Sequence, residues 1–409
     1  MIKKILTILL FLNLYFVICL TKLFGFLCRI FPRKKIKNSI LFFENFPIEN
    51  SGYHWRAGKW ADIFNKNGYK AEVSTIFKSK QKFDKYLNKR TLEKFMIIAI
   101  YKRFFQILKS TKYETIIVRR ELLLFNDYGN LFMEKFLLKI HPNAILDFDD
   151  DIAASKKEPR TISKFGKLMQ ENPSKFTETL KMYKRFIVGS NYLKDMVLSI
   201  NKNISENDVC VIPTCVDYDK YEPKQYDIEK LNNEIVFGWV GGNQNLHILD
   251  IIILALNKIA ENNNIKLIVV SGKDYINENA IFTIENQCWT LDTEVEQIKQ
   301  FDIGLMPLEN TKIAKGKCGF KLIQYMGLGV VGIATDITIN GEIIEDGING
   351  FLFKYDNSNM EEVLKKAISN IDNFAFIGKK ARETIVNKYS FVANKKMFLK
   401  FVLRQNIFL

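Results

Sequence analysis

The sequence predicts an α/β fold organised as two doubly wound domains, each built around a parallel sheet. Three observations carry that prediction. The chain has 409 residues, enough for two domains that each bury a core. Short, predominantly apolar runs recur, among them IVFGWV from Ile235, FDIGLMPL from Phe301 and VVGIAT from Val330. Such runs suit strands covered on both faces by helices. Glycine then marks the passage from strand to helix, at Ser51-Gly52 and again at Gly241-Gly242, where the backbone can approach a neighbour or a phosphate closely.

Hydrophobic residues form 47% of the chain and charged residues 26%, a balance that supports packed cores and leaves no low-complexity tract. Sixty Lys and Arg against 45 Asp and Glu give a net charge of +15, which calls for an acidic partner. Nucleic acid, an anionic membrane and a phosphorylated substrate all qualify. Six cysteines, at 19, 28, 210, 215, 288 and 318, form no C-x-x-C pair and have no histidine in zinc register. That pattern argues for a reducing compartment and no structural metal.

Residues Ile5 to Thr21 form an uncharged apolar run with Lys3 and Lys4 before it and Lys22 after it. Leu23 to Phe31 continues it into Pro32-Arg-Lys-Lys-Ile-Lys37, and the first alanine is Ala57, so no small-residue cleavage site is present. The run is borderline for one span and equally suits an interfacial helix. The cluster Arg29, Arg33, Lys34, Lys35 and Lys37 would keep the rest of the chain on the cytoplasmic side. The expectation is an uncleaved anchor on the cytoplasmic face of the inner (plasma) membrane, with an anionic membrane surface as partner. A core helix is the lesser reading, because the run has no polar face.

Ser39 to Phe46 reads as a strand, Trp55 to Lys66 as an amphipathic helix and Gly68 to Val73 as the opening of the next strand. His54 and Arg56, at the loop–helix junction after Gly52, are candidates to contact an acceptor or a phosphate, against a plain surface role. Lys78 to Lys112 mixes bases with aromatics but has no RNP, KH or zinc-knuckle pattern, so nucleic acid is not expected. A face pressed on anionic lipid or a solvated helix face remains. Thr115 to Val118 and Ala144 to Phe148 are further strands, and the second runs into Asp147-Phe-Asp-Asp-Asp151. An Asp-x-Asp turn suits a metal site, a nucleophile pair or a polar lip. The first two need a Gly-rich mononucleotide fold around the turn, or a later Lys and acidic pair, and neither lies in register, which favours the lip and no metal.

Strands follow at Phe186 to Ser190 and from Val209, and the polar, aperiodic stretch from Asp217 to Asn233 is placed as the interdomain linker. After the Gly241-Gly242 turn, Leu246 to Glu261 reads as a helix and Ile265 to Ser271 as a strand; Trp289 precedes the acidic helix Glu294 to Gln300. The segment from Phe301 to Phe351 organises the second half. Lys312, Lys315, Lys317 and Lys321 crowd the start of a helix read from KCGFKLIQYM, with no acid between Thr311 and Ile323. Cations have the wrong sign for a helix N-terminus and the right sign for an anion bound there. A solvated basic loop is the plain alternative.

Together, QYMGLGVVGIA, ITINGEII and EDGINGFLF resemble the donor-binding half of retaining glycosyltransferases of the GT-B fold, family 4. Lys317 to Met326 resembles a bacterial branch with a K-x-x-x-K-L-x-Q-Y-M motif. The resemblance is strong after Val236 and weaker before. It implies two Rossmann-like domains facing across a cleft: anchor and basic flank 1–37, an acceptor-side domain 38–217, linker 218–233, a nucleotide-sugar domain 234–388, and a helix 389–409 returning to the first domain. It implies a hexosyltransferase-like enzyme (EC 2.4) of envelope polysaccharide synthesis. Such an enzyme is retaining, needs no metal or cofactor, and moves sugar from a nucleotide-diphosphate sugar to a saccharide or lipid-linked acceptor. The implied donor contacts are Gly241, Gly242, Asn243, Trp289, Cys318, Gly319, Phe320, Gln324 and Glu342, with Lys317 and Lys321 neutralising the departing diphosphate. Gly52, His54, Arg56, Asp149 and Asp150 lie on the implied acceptor side. Gly316 and Gln324 stand where the family has its pair of glutamates. An inactive scaffold of a glycan-assembly complex and a nucleotide-sugar epimerase are the alternatives.

Overall fold

The computed structural model describes residues 2–87, 92–125, 131–152, 154, 164–169, 174–218 and 221–404. The chain divides into two compact units, Met1–Ile212 with Met397–Leu409, and Pro213–Lys396.

The first unit is built on six strands: β1 (Ile36–Glu44), β2 (Lys70–Thr75), β3 (Tyr113–Arg119), β4 (Ile145–Phe148), β5 (Arg185–Val188) and β6 (Val209–Val211). All pair in parallel, in the order β2-β1-β3-β4-β5-β6. β4 and β5 are buried at every residue, which explains why they are apolar apart from Asp147 and Arg185. The helix expected from Trp55 begins with a π-wound stretch, Tyr53–Gly58, before turning α-helical over Lys59–Lys66. The final helix, Phe391–Leu403, lays Phe398 flat on Trp60 with ring centroids 4.0 Å apart. Residues 405–409 of the expected returning helix lie outside the described residues.

The N-terminal helix, Ile2–Ile30, is where the sequence reading misjudged the packing. An uncleaved anchor, spanning or interfacial, was expected ahead of a core helix, and one side of the helix joins the core. Leu14, Val17 and Ile18 are buried in the same cluster as Met96, Ile100, Phe136 and Leu137 of helices Leu92–Ser110 and Phe132–Ile140. The missing polar face has a physical cause: the protein takes one apolar side and leaves the other outside.

The second unit holds β7 (Ile235–Val240), β8 (Ile265–Ser271), β9 (Thr283–Cys288), β10 (Ile303–Met306), β11 (Val331–Thr335) and β12 (Gly350–Phe353). Again all are parallel, in the order β12-β11-β10-β7-β8-β9. β9 was not expected, since this edge strand is polar and largely solvated. ITINGEII forms a short helix, Ile339–Ile343, rather than a turn, and EDGINGFLF is no hairpin: β12 pairs parallel to β11. Asp227 caps a helix, Ile228–Asn233, within the stretch read as aperiodic.

Phe398 is 2% exposed against a fully buried Trp60. Phe398→Ala should therefore destabilise the first unit by about 3–5 kcal/mol, the usual cost of emptying a buried aromatic site. Thermal unfolding followed by circular dichroism checks this, and a melt within error of wild type would contradict it.

Candidate functional site

In an open parallel sheet the strand order reverses at one place, and the crevice outside the strand carboxyl ends there is the natural ligand position. In the second unit that place is between β7 and β10. The turn leaving β7 is Gly241-Gly242, and the segment leaving β10 carries the four lysines.

These pieces converge on Trp239. An added methyl group on Gly241 would lie 2.3 Å from Cη2 of that indole, so only glycine lets the chain turn against the ring. The Lys321 ammonium sits 4.9 Å from the Trp239 ring centroid. Lys321 stands in the first turn of helix Phe320–Gly327, which is bound back to β7 by the Tyr325 hydroxyl accepting from the Val240 N–H at 2.9 Å. The glycine turn and the helix N-terminus are thus held beside each other through one aromatic ring and one hydrogen bond.

The basic segment is shaped rather than loose. Thr311 caps a single turn, Lys312–Lys315, its side chain accepting from the Ala314 N–H. Gly319 then takes a left-handed φ of 69° to start the next helix, packed against Ile339 and Ile343. Thr338 donates its hydroxyl to the Lys315 carbonyl at 2.9 Å from a backbone φ of 40°, strain that a β-branched residue adopts only where its surroundings compel it. Lys312, Lys315 and Lys317 make no ion pair with any described residue; the first two are exposed and Lys317 is half-buried.

The other expected donor contacts are spread more widely. Cys318 and Gly319 are buried and Phe320 is half-buried, all three at the helix start. Asn243 accepts from the Ser271 hydroxyl. Trp289 is half-buried, and its indole N–H donates to buried Glu294 at 2.9 Å, so packing already occupies its polar end. Glu342 is exposed on helix Ile339–Ile343. Gln324 is 2% exposed and donates its amide to the Tyr218 hydroxyl at 3.4 Å.

The first unit reverses between β1 and β3, and a buried ionic network occupies the carboxyl ends there. Arg56 clasps Asp147 with Nε and Nη2 (3.0 and 2.8 Å) and donates Nη1 to the Ile212 carbonyl. Arg119 sits 3.0 Å from Glu44 and 3.3 Å from Asp149, and Arg120 reaches Asp149 at 3.1 Å and Asp150 at 2.6 Å. An added methyl on Gly52 would lie 3.1 Å from Arg119 Nη2, so the glycine loop rests on this network. His54 is half-buried, edge-on to Trp55. Burial alone would raise Asp149, but the guanidiniums of Arg119 and Arg120, with Arg56 behind, hold its carboxyl well below the ordinary range. Burial pushes Glu44 and Asp147 upward against the pull of Arg119 and Arg56 respectively. Arg56 and Asp149, expected as acceptor contacts, are thus deep members of an ion-paired frame, and Asp150 is its half-buried end. Sequence reasoning missed Glu44, Arg119 and Arg120; an Arg-Arg pair closing a buried strand was the available signal.

Two all-parallel six-stranded sheets, each with one reversal of strand order and a glycine turn beside it, define a two-unit doubly wound α/β fold. Residues 234–373 match the family model described as glycosyl transferases group 1. No curated protein matches the chain. Among solved structures, a glycosyltransferase from Rickettsia africae is similar over 91% of this chain and 100% of its own, at 16% identity and a TM-score of 0.61. HepE of Anabaena, solved in complex with UDP-glucose, is similar over 90% and 100% at 13% identity and 0.62. Sucrose-phosphate synthase from Thermosynechococcus elongatus is similar over the same shares at 10% identity and 0.62. At these identities the likeness is one of fold, and that fold is GT-B.

Asp149 is held low in the folded state, so its contribution is full above the unfolded value of about 3.9 and fades as pH falls below it. The gap in melting temperature between wild type and Asp149→Asn should be wide at pH 7 and should narrow towards pH 3. A gap independent of pH would contradict the assignment.

Proposed function

We propose that the chain is a glycosyltransferase that moves a hexose from a nucleotide-diphosphate sugar to a saccharide or lipid-linked acceptor. It works with retention and without a metal, at the cytoplasmic face of the plasma membrane in envelope polysaccharide synthesis. One observation carries the reading: the Lys321 ammonium, the Gly241 turn and a helix N-terminus meet around Trp239 where the strand order reverses. The match of residues 234–373 to group 1 glycosyltransferases and the UDP-glucose complex of HepE support it.

The chemistry follows from charge. As the bond between the sugar anomeric carbon and the diphosphate oxygen breaks, negative charge grows on the leaving group. Prearranged donors aimed at such charge are usually the largest catalytic contribution. Lys317, Lys321 and the backbone N–H groups near Cys318 to Phe320 supply them, with the Gly241-Gly242 backbone on the other side. The acceptor oxygen bonds the anomeric carbon on the face that the diphosphate leaves, and its proton passes to a phosphate oxygen of the leaving group. No side chain then needs to act as base. In this reading Asp150 of the first unit bonds acceptor hydroxyls, while Arg56, Asp147 and Asp149 hold the edge in shape.

A non-catalytic scaffold is the second reading, favoured by Gln324 lying buried against Tyr218 where the resembling family has a carboxylate. Calorimetry with UDP-, GDP- and ADP-sugars separates the two, since a scaffold binds none.

Lys321→Ala should lower kcat/KM for the donor at least tenfold, about 1.4 kcal/mol of transition-state stabilisation. Unchanged kinetics with an unchanged melting temperature would overturn the phosphate assignment.

A further inference from the structure

The N-terminal helix is apolar all round, and the protein uses only one side of it. Its inner stripe, Leu14, Val17, Ile18 and Thr21, is buried. Its outer stripe, including Ile8, Leu12, Phe16, Leu23 and Phe26, is more than half exposed at every one of these residues, with Leu12 at 59%. From Ile5 to Ile30 the stripe runs about 38 Å at 1.5 Å per residue. Scattered exposed apolar residues are ordinary, whereas a continuous band marks an interaction surface. Asn13, the polar side chain in its middle, is satisfied internally: its amide donates to the Leu9 carbonyl and its oxygen accepts from the Tyr101 hydroxyl.

The charge beside the stripe identifies what covers it. No acidic residue precedes Glu44. Lys22, Arg29, Arg33, Lys34 and Lys35 are exposed, and none makes an ion pair with a described residue. A second copy of the chain would bring these cations against their own kind. An anionic lipid surface satisfies both the apolar band and the charge.

We propose that this helix lies flat in the headgroup region of one leaflet of an anionic bilayer, holding the chain side-on without spanning. Spanning demands lipid on all sides, and would draw Leu14, Val17 and Ile18 out of the core of the first unit. The attachment stands apart from the sugar-transfer reading and survives its failure.

Flotation of the full chain with vesicles of phosphatidylglycerol and phosphatidylcholine in equal parts tests it. Binding is expected there. It should be at least about tenfold weaker on phosphatidylcholine alone and for the double variant Leu12→Glu/Phe16→Glu, whose exposed positions leave the melting temperature unchanged. A fluorophore is then placed on a cysteine introduced at Ile8, Phe16 or Leu23, in a background with the exposed or half-buried Cys19, Cys28 and Cys288 changed to Ser. All three positions should be quenched alike by lipids brominated near the headgroup. Deep quenching at Phe16 with shallow quenching at Ile8 and Leu23 marks a span and overturns the proposal. Absence of flotation, equal flotation on both vesicles, or flotation indifferent to the double variant overturns it too. Self-association abolished by that variant, without vesicle binding, assigns the stripe to a second copy instead.

Discussion

Because every strand pair in both sheets runs parallel, each sheet sends its strand-to-helix turns to one edge and its helix-to-strand returns to the other. The groups that cannot be satisfied within a strand or a helix, namely the first N–H groups of the following helices, gather at the carboxyl-end edge. Glycine turns and charged side chains collect there for the same reason. The reversal of strand order opens the edge at β1/β3 in one unit and at β7/β10 in the other. The location of both candidate sites follows from strand direction before any side chain is considered.

Side chains then make the two edges electrostatic opposites. At the β1/β3 edge three guanidiniums face four carboxylates, and every one of the seven groups has an ionic partner. Buried charges survive only when paired in this way, since loss of one partner leaves a desolvated ion costing about 3–5 kcal/mol. Such an edge is rigid and has little capacity left for another ion. At the β7/β10 edge four lysines share a segment with no acid, beside a helix N-terminus of the same sign. That arrangement is unfavourable within the protein alone and is relieved by an anion. The unbalanced positive charge thus lies at the edge of the second unit.

The sheets were largely legible in the sequence because strands buried on both faces leave apolar runs that hardly any other element imitates; β7, β10 and β11 are of that kind. β9 was not, because an edge strand with one face in water, carrying Glu285, Asn286 and Gln287, has the composition of a loop. The lysines and the glycine turn were legible as residue types out of place on an element of known polarity. The meeting of Lys321 and Gly241 around Trp239 was not, since that depends on Tyr325 reaching Val240 across 85 positions of sequence. The frame of Arg56, Asp147, Arg119, Glu44 and Asp149 was invisible for the same reason: its partners come from three strands and one helix. The N-terminal helix shows the converse limit. Its composition reported a helix with no polar face and could not report that one apolar side faces protein.

Gln324 brings the charge argument to its sharpest point. A carboxylate at that position would be nearly sealed from water against Tyr218, and a buried carboxylate without a matched cation costs several kcal/mol. Its nearest remedy would be to draw in a lysine from the segment that precedes it, as Arg119 and Arg120 are drawn onto Asp149 in the other unit. The amide avoids both outcomes. It satisfies the tyrosine as a neutral partner and leaves the positive charge of Lys312 to Lys321 undiminished, and Gly316 likewise places no acid among them. An acid at either position would, in electrostatic terms, compete for the same cations. Lys312, Lys315 and Lys317, which make no ion pair with any described residue, keep their charge open to an anion.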